Sequence, residues 1–85
     1  MRVAILTRGN EKAAQKLQCM IYAYFKDYEV VEVVHSTHEL SKLVVNAKID
    51  TILITDPSRL TRDRIEYESI EQMLRGYGVT IELAQ

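Results

Sequence analysis

Two short runs without a polar interruption, Val3-Ala4-Ile5-Leu6 and Ile52-Leu53-Ile54, constrain this 85-residue chain more than any other feature of its sequence. A strand that is apolar at every position, instead of at alternate ones, is covered on both faces, and helices crossing over on both sides of a parallel sheet provide that cover. Arg2 to Thr7 therefore reads as a first strand. Thr51 to Thr55 reads as a third, broken by the turn residues Asp56-Pro57-Ser58.

The intervening segments supply the helices. From Glu11 to Lys26, Ala13, Ala14, Leu17, Met20, Ile21 and Tyr24 follow helical spacing and predict the first crossover helix. Glu29 to Val34 is a β-branched run, the second strand. Ser36-Thr37-His38-Glu39 then has the pattern of a capping box, opening a short helix marked by Leu40, Leu43, Val44 and Ala47. A third helix starts near Thr61 to Asp63, with Asp63 as its cap; it carries Ile65, Ile70, Met73 and Leu74 and ends at Gly76 and Gly78. Val79 to Leu83 alternates apolar and polar side chains, as an edge strand does. The order βαβαβαβ predicts an α/β domain of three layers, a four-stranded, mostly parallel sheet flanked by helices.

Length and composition set the remaining bounds. A chain this short makes one domain, residues 1–85, and buries only about 60–65% of its unfolded surface, so association with a partner or a second copy is expected. With 47% hydrophobic and 27% charged residues it has the composition of a folded chain. Its single cysteine, Cys19, has no internal disulfide partner, and no apolar run approaches the roughly 20 residues that span a bilayer. These features predict a cytoplasmic protein with no membrane contact. The net charge of −1 is a poor footprint for gripping nucleic acid unaided. The charge is uneven, however: Arg2, Arg8, Lys12, Lys16 and Lys26 outnumber Glu11 early on, while Asp63, Glu66, Glu68 and Glu71 make the last helix acidic.

In open parallel sheets, ligands sit beyond the C-terminal ends of the strands where the strand order reverses. The loops there are Thr7-Arg8-Gly9-Asn10 and Asp56-Pro57-Ser58-Arg59-Leu60-Thr61-Arg62, so Arg8, Arg59 and Arg62 are placed to converge. Guanidinium groups suit phosphate because a planar fork donates two hydrogen bonds at once and stays charged at any working pH. The other reading of the trio is ordinary surface pairing with Asp56, Asp63 and Glu66.

The same loops resemble the catalytic domain of resolvase/invertase-type serine recombinases, which carries an Arg-Val-Ser motif after its first strand and an Asp-Arg-Leu-Ser-Arg motif later. Here the segments read Arg8-Gly9-Asn10 and Ser58-Arg59-Leu60-Thr61-Arg62. Tyr28 to Val33 and Gly78 to Ile81 are similar to the family's second and fourth strands. The resemblance covers nearly the whole chain and implies strand order 2-1-3-4. In that family a serine attacks a DNA phosphate while arginines stabilise the charge on the phosphoryl oxygens. Arg8, Arg59 and Arg62 match those arginines, Asn10 stands at the serine position, and Ser58 replaces an aspartate.

The family's glycine-rich segment is shortened to His35-Ser36-Thr37-His38. A long dimerisation helix and a C-terminal DNA-binding domain are expected to be missing. The resemblance thus implies a chain that is not an enzyme, of phage or mobile-element origin, with no catalytic residue and no cofactor. Its expected action is binding through Arg8, Asn10, Ser58, Arg59 and Arg62, modulating DNA recombination or a DNA-associated assembly. Its expected partners are the DNA phosphate backbone, held weakly, a recombinase or other protein, and a second copy of itself. Alternatives are residual phosphoryl transfer, with Ser58 or an outside group as nucleophile, a small phosphate- or nucleotide-binding module, and an evolutionary remnant with no specific ligand.

Other conspicuous residues have plainer explanations. Ser58 follows a proline in a turn; His35, His38 and Glu39 lack the converging ligands of a metal site. Cys19 reads as a half-buried structural thiol. Gly9 fits a tight turn, and Tyr22, Tyr24 and Tyr28 read as core or interface residues.

Overall fold

The computed structural model describes all 85 residues. Four strands, β1 (Arg2–Leu6), β2 (Glu29–Val34), β3 (Thr51–Ile54) and β4 (Thr80–Leu83), alternate with three helices, α1 (Lys12–Lys26), α2 (Thr37–Val45) and α3 (Arg64–Gly76). The strand order is β2-β1-β3-β4 and every pairing is parallel. The predicted class and order therefore hold, with the sheet wholly parallel. No helix is long and apolar enough to cross a membrane.

The two uninterrupted apolar runs are the two central strands. Val3 to Leu6 and Ile52 to Ile54 are all fully buried, whereas β2 and β4, each paired on one side only, are partly open. On edge strand β2 the register with β1 slips between Val3 and Ala4, which passes over Val31 and bulges the edge.

Alternation sorts the central side chains into two cores. Ala4, Leu6, Ile52 and Ile54 point to one face, where Leu40 and Val44 of α2 and Leu74 of α3 cover them in a cluster of 11 buried residues. Val3, Ile5 and Leu53 point to the other face, where Cys19 and Ala23 of α1, with Ala84 after β4, complete a cluster of 6.

The helix ends follow their sequence signals. Ser36 accepts from Glu39 N–H at 3.2 Å, and the Glu39 carboxylate accepts from His35 N–H at 2.8 Å, so the capping box closes one residue early. Asp63 caps α3 by accepting from the N–H groups of Ile65 and Glu66. Ala47 lies beyond α2, in the left-handed region at φ 53, and not on the helix face where its spacing placed it.

The first helix departs most from expectation. Its buried residues are Gln15, Cys19 and Ala23, whereas Leu17, Met20, Ile21 and Tyr24 of the predicted inner stripe are exposed. The small side chains turned inward let the helix lie close to the sheet. The large ones are left outside. On α3, Ile65 and Met73 are likewise exposed while Leu74 carries the contact.

Candidate functional site

Beyond the C-terminal ends of β1 and β3, the two loops meet. Arg8 Nη1 donates to the Leu60 carbonyl at 3.0 Å, and Arg59 Nη1 donates to the Arg8 carbonyl at 3.3 Å, so each loop's arginine is fastened to the other loop's backbone. Residues separated by some 50 positions are thereby brought to one cleft of about 390 Å³, lined by Arg8, Gly9, Ser58, Arg59, Thr61 and Arg62, with Leu60 and Glu66 at its wall. Three guanidinium groups against one carboxylate give the cleft a net positive lining.

Pairing with acids consumes little of that charge. Asp63 is occupied as the α3 cap, and among the three candidate acids only Asp56 reaches an arginine, Arg59, at 3.8 Å. The atom of Arg59 that faces Asp56 is its Nε, which is buried and at that distance makes no hydrogen bond. A second groove, of about 630 Å³, shares Ser58, Thr61 and Arg62 and adds Arg64, but sets three carboxylates, Asp56, Glu68 and Glu71, against those two arginines. Its carboxylates repel an anion, so the smaller cleft is the one suited to phosphate.

Gly9 stands at φ 75, a left-handed conformation that favours glycine, and a Cβ there would be in ordinary contact with Arg59 Nη1 at 3.5 Å, so the backbone and not space calls for glycine. The tight-turn reading of Gly9 thus holds. Asn10 is exposed and does not line the cleft; its carbonyl accepts from Gln15 Nε2 at 2.8 Å. Ser58 does line it, in the short 3₁₀ turn Pro57–Arg59. Its hydroxyl donates to the Asp56 carboxylate, which also accepts from Ser58 N–H at 2.8 Å. The Ser58 hydroxyl bond, foremost, holds the Asp56 carboxyl below the usual carboxylate range. A carboxylate partner for Ser58 was not evident from sequence.

Two residues that sequence reasoning missed shape this end of the sheet. Gln15 is buried, and its amide binds Arg8 N–H at 3.0 Å, the Arg8 carbonyl at 2.8 Å and the Asn10 carbonyl. One side chain thus satisfies three backbone groups of the first loop. Its signal in the sequence is a polar residue one turn into the helix, on the side opposite the apolar stripe. Thr7 is fully buried, and its Oγ1 lies 2.6 Å from His35 Nδ1, tying the end of β1 to the end of β2. His35 is therefore engaged in the fold at that nitrogen. Cys19 is buried completely, not half, and burial pushes its thiol up to about 11.

Neither a protein-family model nor a curated protein matches the chain. Solved structures do. The chain is similar to the C-terminal catalytic domain of ISC1926 TnpA, an IS607-like serine recombinase, with 30% identity and a TM-score of 0.89 over 100% of this chain and 70% of that one. It also resembles the N-terminal catalytic domain of TP901-1 integrase (17% identity, TM-score 0.90, 99% and 77% covered). A resolvase family site-specific recombinase from Streptococcus pneumoniae superposes equally well (20% identity, TM-score 0.91, 99% and 72% covered). The last two, at their low identities, speak for the fold alone.

These matches correct one expectation. The substitution at Asn10 implied a chain that is not an enzyme, yet the structure to which the chain is similar at 30% identity over its whole length is itself the catalytic domain of a serine recombinase. One changed position in a loop is a weaker guide to enzyme class than similarity along the entire chain.

Proposed function

Because this chain belongs to the serine recombinase family, we propose that it acts in DNA recombination by seating a backbone phosphate in the cleft of Arg8, Arg59 and Arg62. The observation that carries this reading is the convergence of three arginines from two loops on one cleft that holds a single carboxylate, Glu66. Arginine forks pair with phosphoryl oxygens in a partly enclosed site more strongly than they do in open water. The net charge of −1 limits the grip to this local patch, so binding by the chain alone is weak and falls steeply with salt.

Titration of short duplex and single-stranded DNA into isotope-labelled protein, at low and moderate salt, tests the reading. Amide shifts are expected at Arg8, Gly9 and Ser58 to Arg62, lost on raising the salt and in Arg8→Ala with Arg59→Ala. Silence at those amides would sink it. Equal shifts with inorganic phosphate alone would instead make the site a module for small phosphate ligands.

A second reading is favoured by the Ser58–Asp56 hydrogen bond: Ser58 is the attacking hydroxyl of a phosphoryl transfer. Its Oγ forms a bond to phosphorus as the bond from phosphorus to one sugar oxygen breaks. The hydroxyl proton passes to Asp56 and then to the departing sugar oxygen. Intact mass measurement after incubation with DNA is expected to show a strand-length adduct that disappears in Ser58→Ala. Absence of any adduct removes this second reading and leaves phosphate binding standing.

A further inference from the structure

A row of polar side chains crosses the C-terminal rim of the sheet on the face that α1 covers. Leu6 of β1 pairs with Val34 of β2, which sets Thr7 beside His35; Ile5 pairs with Leu53 of β3, and the same register carried two residues on sets Thr7 beside Thr55. Leu6, Val34 and Ile54 belong to the core on the opposite face, and alternation turns the next residue of each strand toward α1. Only one link of this row is closed. Thr7 Oγ1 lies 2.6 Å from His35 Nδ1, whereas Thr55 Oγ1 is buried with no hydrogen-bond partner. A buried hydroxyl left open next to a closed pair calls for a physical reason.

The reason lies in what the ring does to the Thr7 hydroxyl. A neutral imidazole with its proton on Nε2 accepts at Nδ1, so the Thr7 O–H is spent on the histidine. A charged ring carries N–H at both nitrogens. Its Nδ1–H then donates to Thr7 Oγ1, and the Thr7 O–H is released. Thr7 is fully buried, and the open acceptor on the adjoining strand is Thr55 Oγ1. Protonating His35 therefore completes a row, His35 to Thr7 to Thr55, that stays interrupted while the ring is neutral.

We propose that His35 is a positioning residue for the arginine cleft: its charged form ties three neighbouring strand ends together through Thr7 and Thr55, and binding of a phosphate in the cleft takes up a proton from solvent at this ring. The inference rests on the phosphate reading of the cleft. Arg8 directly follows Thr7, and Asp56, which holds Ser58 and pairs with Arg59, directly follows Thr55, so the completed row fixes both arginine loops at their roots. The charge acts in the same direction. His35 stands about two strand spacings, roughly 10 Å, from the loop after β3, a distance at which a cation still attracts a phosphate in moderate salt. The charged and titratable groups of the elements that meet at the ring are Arg8 beyond Thr7, His38 and Glu39 on α2, and Glu11 with Lys12 where α1 begins. Arg8 reaches away to the Leu60 carbonyl, and Glu11 and Lys12 offset each other. The Glu39 carboxylate, which accepts from the His35 N–H at 2.8 Å, leaves the balance in favour of the charged ring.

Two titrations of the isotope-labelled 85-residue chain test this. In the free protein, the His35 ring C–H signals are followed against pH. Thr55→Val keeps the shape of the side chain but removes the acceptor at the end of the row, and is expected to lower the pH of half-protonation by at least about a third of a unit, a twofold change in the equilibrium. Thr55→Ser is expected to restore it. Short duplex DNA is then added at fixed salt near pH 8 and near pH 5.5, either side of the range in which histidine changes charge. The Arg8 and Gly9 amide shifts are expected to saturate at about threefold less DNA at the lower pH. By linkage the same DNA raises the pH at which His35 titrates. The threefold difference should persist in His38→Gln and vanish in His35→Gln. Equal binding at both pH values, or a His35 titration that Thr55→Val leaves in place, overturns the proposal and leaves the phosphate reading intact. Silence at the Arg8 and Gly9 amides at both pH values removes the phosphate reading, and this proposal with it.

Discussion

The two sides of the sheet solve the same problem differently. On the α2 and α3 side, branched apolar residues from both layers interlock around Leu6, Ile52 and Ile54, and the capped helices above turn mostly polar residues outward. On the α1 side the inward residues are small or polar, the sheet ends in a carboxylate, Glu82, held by Tyr22 and Tyr28, and the large apolar residues lie outside. The first side is completed by folding. The second side folds with its largest apolar surface still unpaired, which shows that a helical stripe in a sequence need not be the stripe that faces the core.

The largest expected effect separates those two uses of apolar surface. Ile54→Ala empties a fully buried position under α2 and α3 and is expected to cost about 2–5 kcal/mol in urea unfolding, as large-to-small core changes do. Leu17→Ala, at an exposed position of α1, is expected to change stability by no more than about 0.5 kcal/mol. Comparable losses in both variants would mean that Leu17 is covered within a single chain and would break the contrast.

A smaller effect is expected where the α1 side uses polar contacts. Gln15→Leu keeps the approximate volume but leaves Arg8 N–H and the Asn10 carbonyl without their side-chain partner and the Arg8 carbonyl with Arg59 alone. That costs about 1–3 kcal/mol, the penalty for unsatisfied buried groups. The same variant loosens the loop that aims Arg8, so the amide shifts of Arg8 and Gly9 on adding DNA should shrink. Full stability in Gln15→Leu would show that the loop is held by the two arginine-to-backbone bonds alone.

How much of this was legible in the sequence follows from what each signal encodes. Continuous runs such as Ile52 to Ile54 mark strands covered on both faces, and Ser36 with Glu39, or Asp63 alone, marks a helix start, because those effects are local. Four such strands and three helices leave few topologies, and the family resemblance supplied the order. The meeting of Arg8 with Arg59 and Arg62 followed from that topology. The orientation of α1 did not follow, since periodicity tells which residues share a stripe but not what the stripe faces. Nor did the roles of Gln15, Thr7 and Glu82: Thr7 and Glu82 satisfy partners 28 or more positions away, Gln15 folds back onto backbone groups five to seven positions before it, and a lone glutamine or threonine carries no mark of either. Asn10 was grouped with the arginines by position in a motif, and only geometry separates its exposed place from theirs.

The smallest expected effect is a dependence of stability on alkaline pH confined to the α1 side. Tyr22 donates to Glu82, and that hydrogen bond, with burial and the nearby charge adding to it, pushes the phenol from 10.0 up to about 12. Tyr28 is raised in the same direction, chiefly by burial and then by its own bond to Glu82. The folded chain therefore holds these protons more tightly than the unfolded one. The stabilisation is complete below pH 10, declines as the pH rises and the unfolded phenols ionise first, and for Tyr22 is gone above about 12. On the other side Tyr67 is also raised, by burial first, but it donates to no carboxylate. Urea midpoints followed across that pH range should flatten in Tyr22→Phe, flatten further when Tyr28→Phe is added, and change less in Tyr67→Phe. If Tyr67→Phe removes most of the slope instead, the alkaline sensitivity belongs to the α3 layer, and the Tyr22–Glu82–Tyr28 group is not what distinguishes the α1 side.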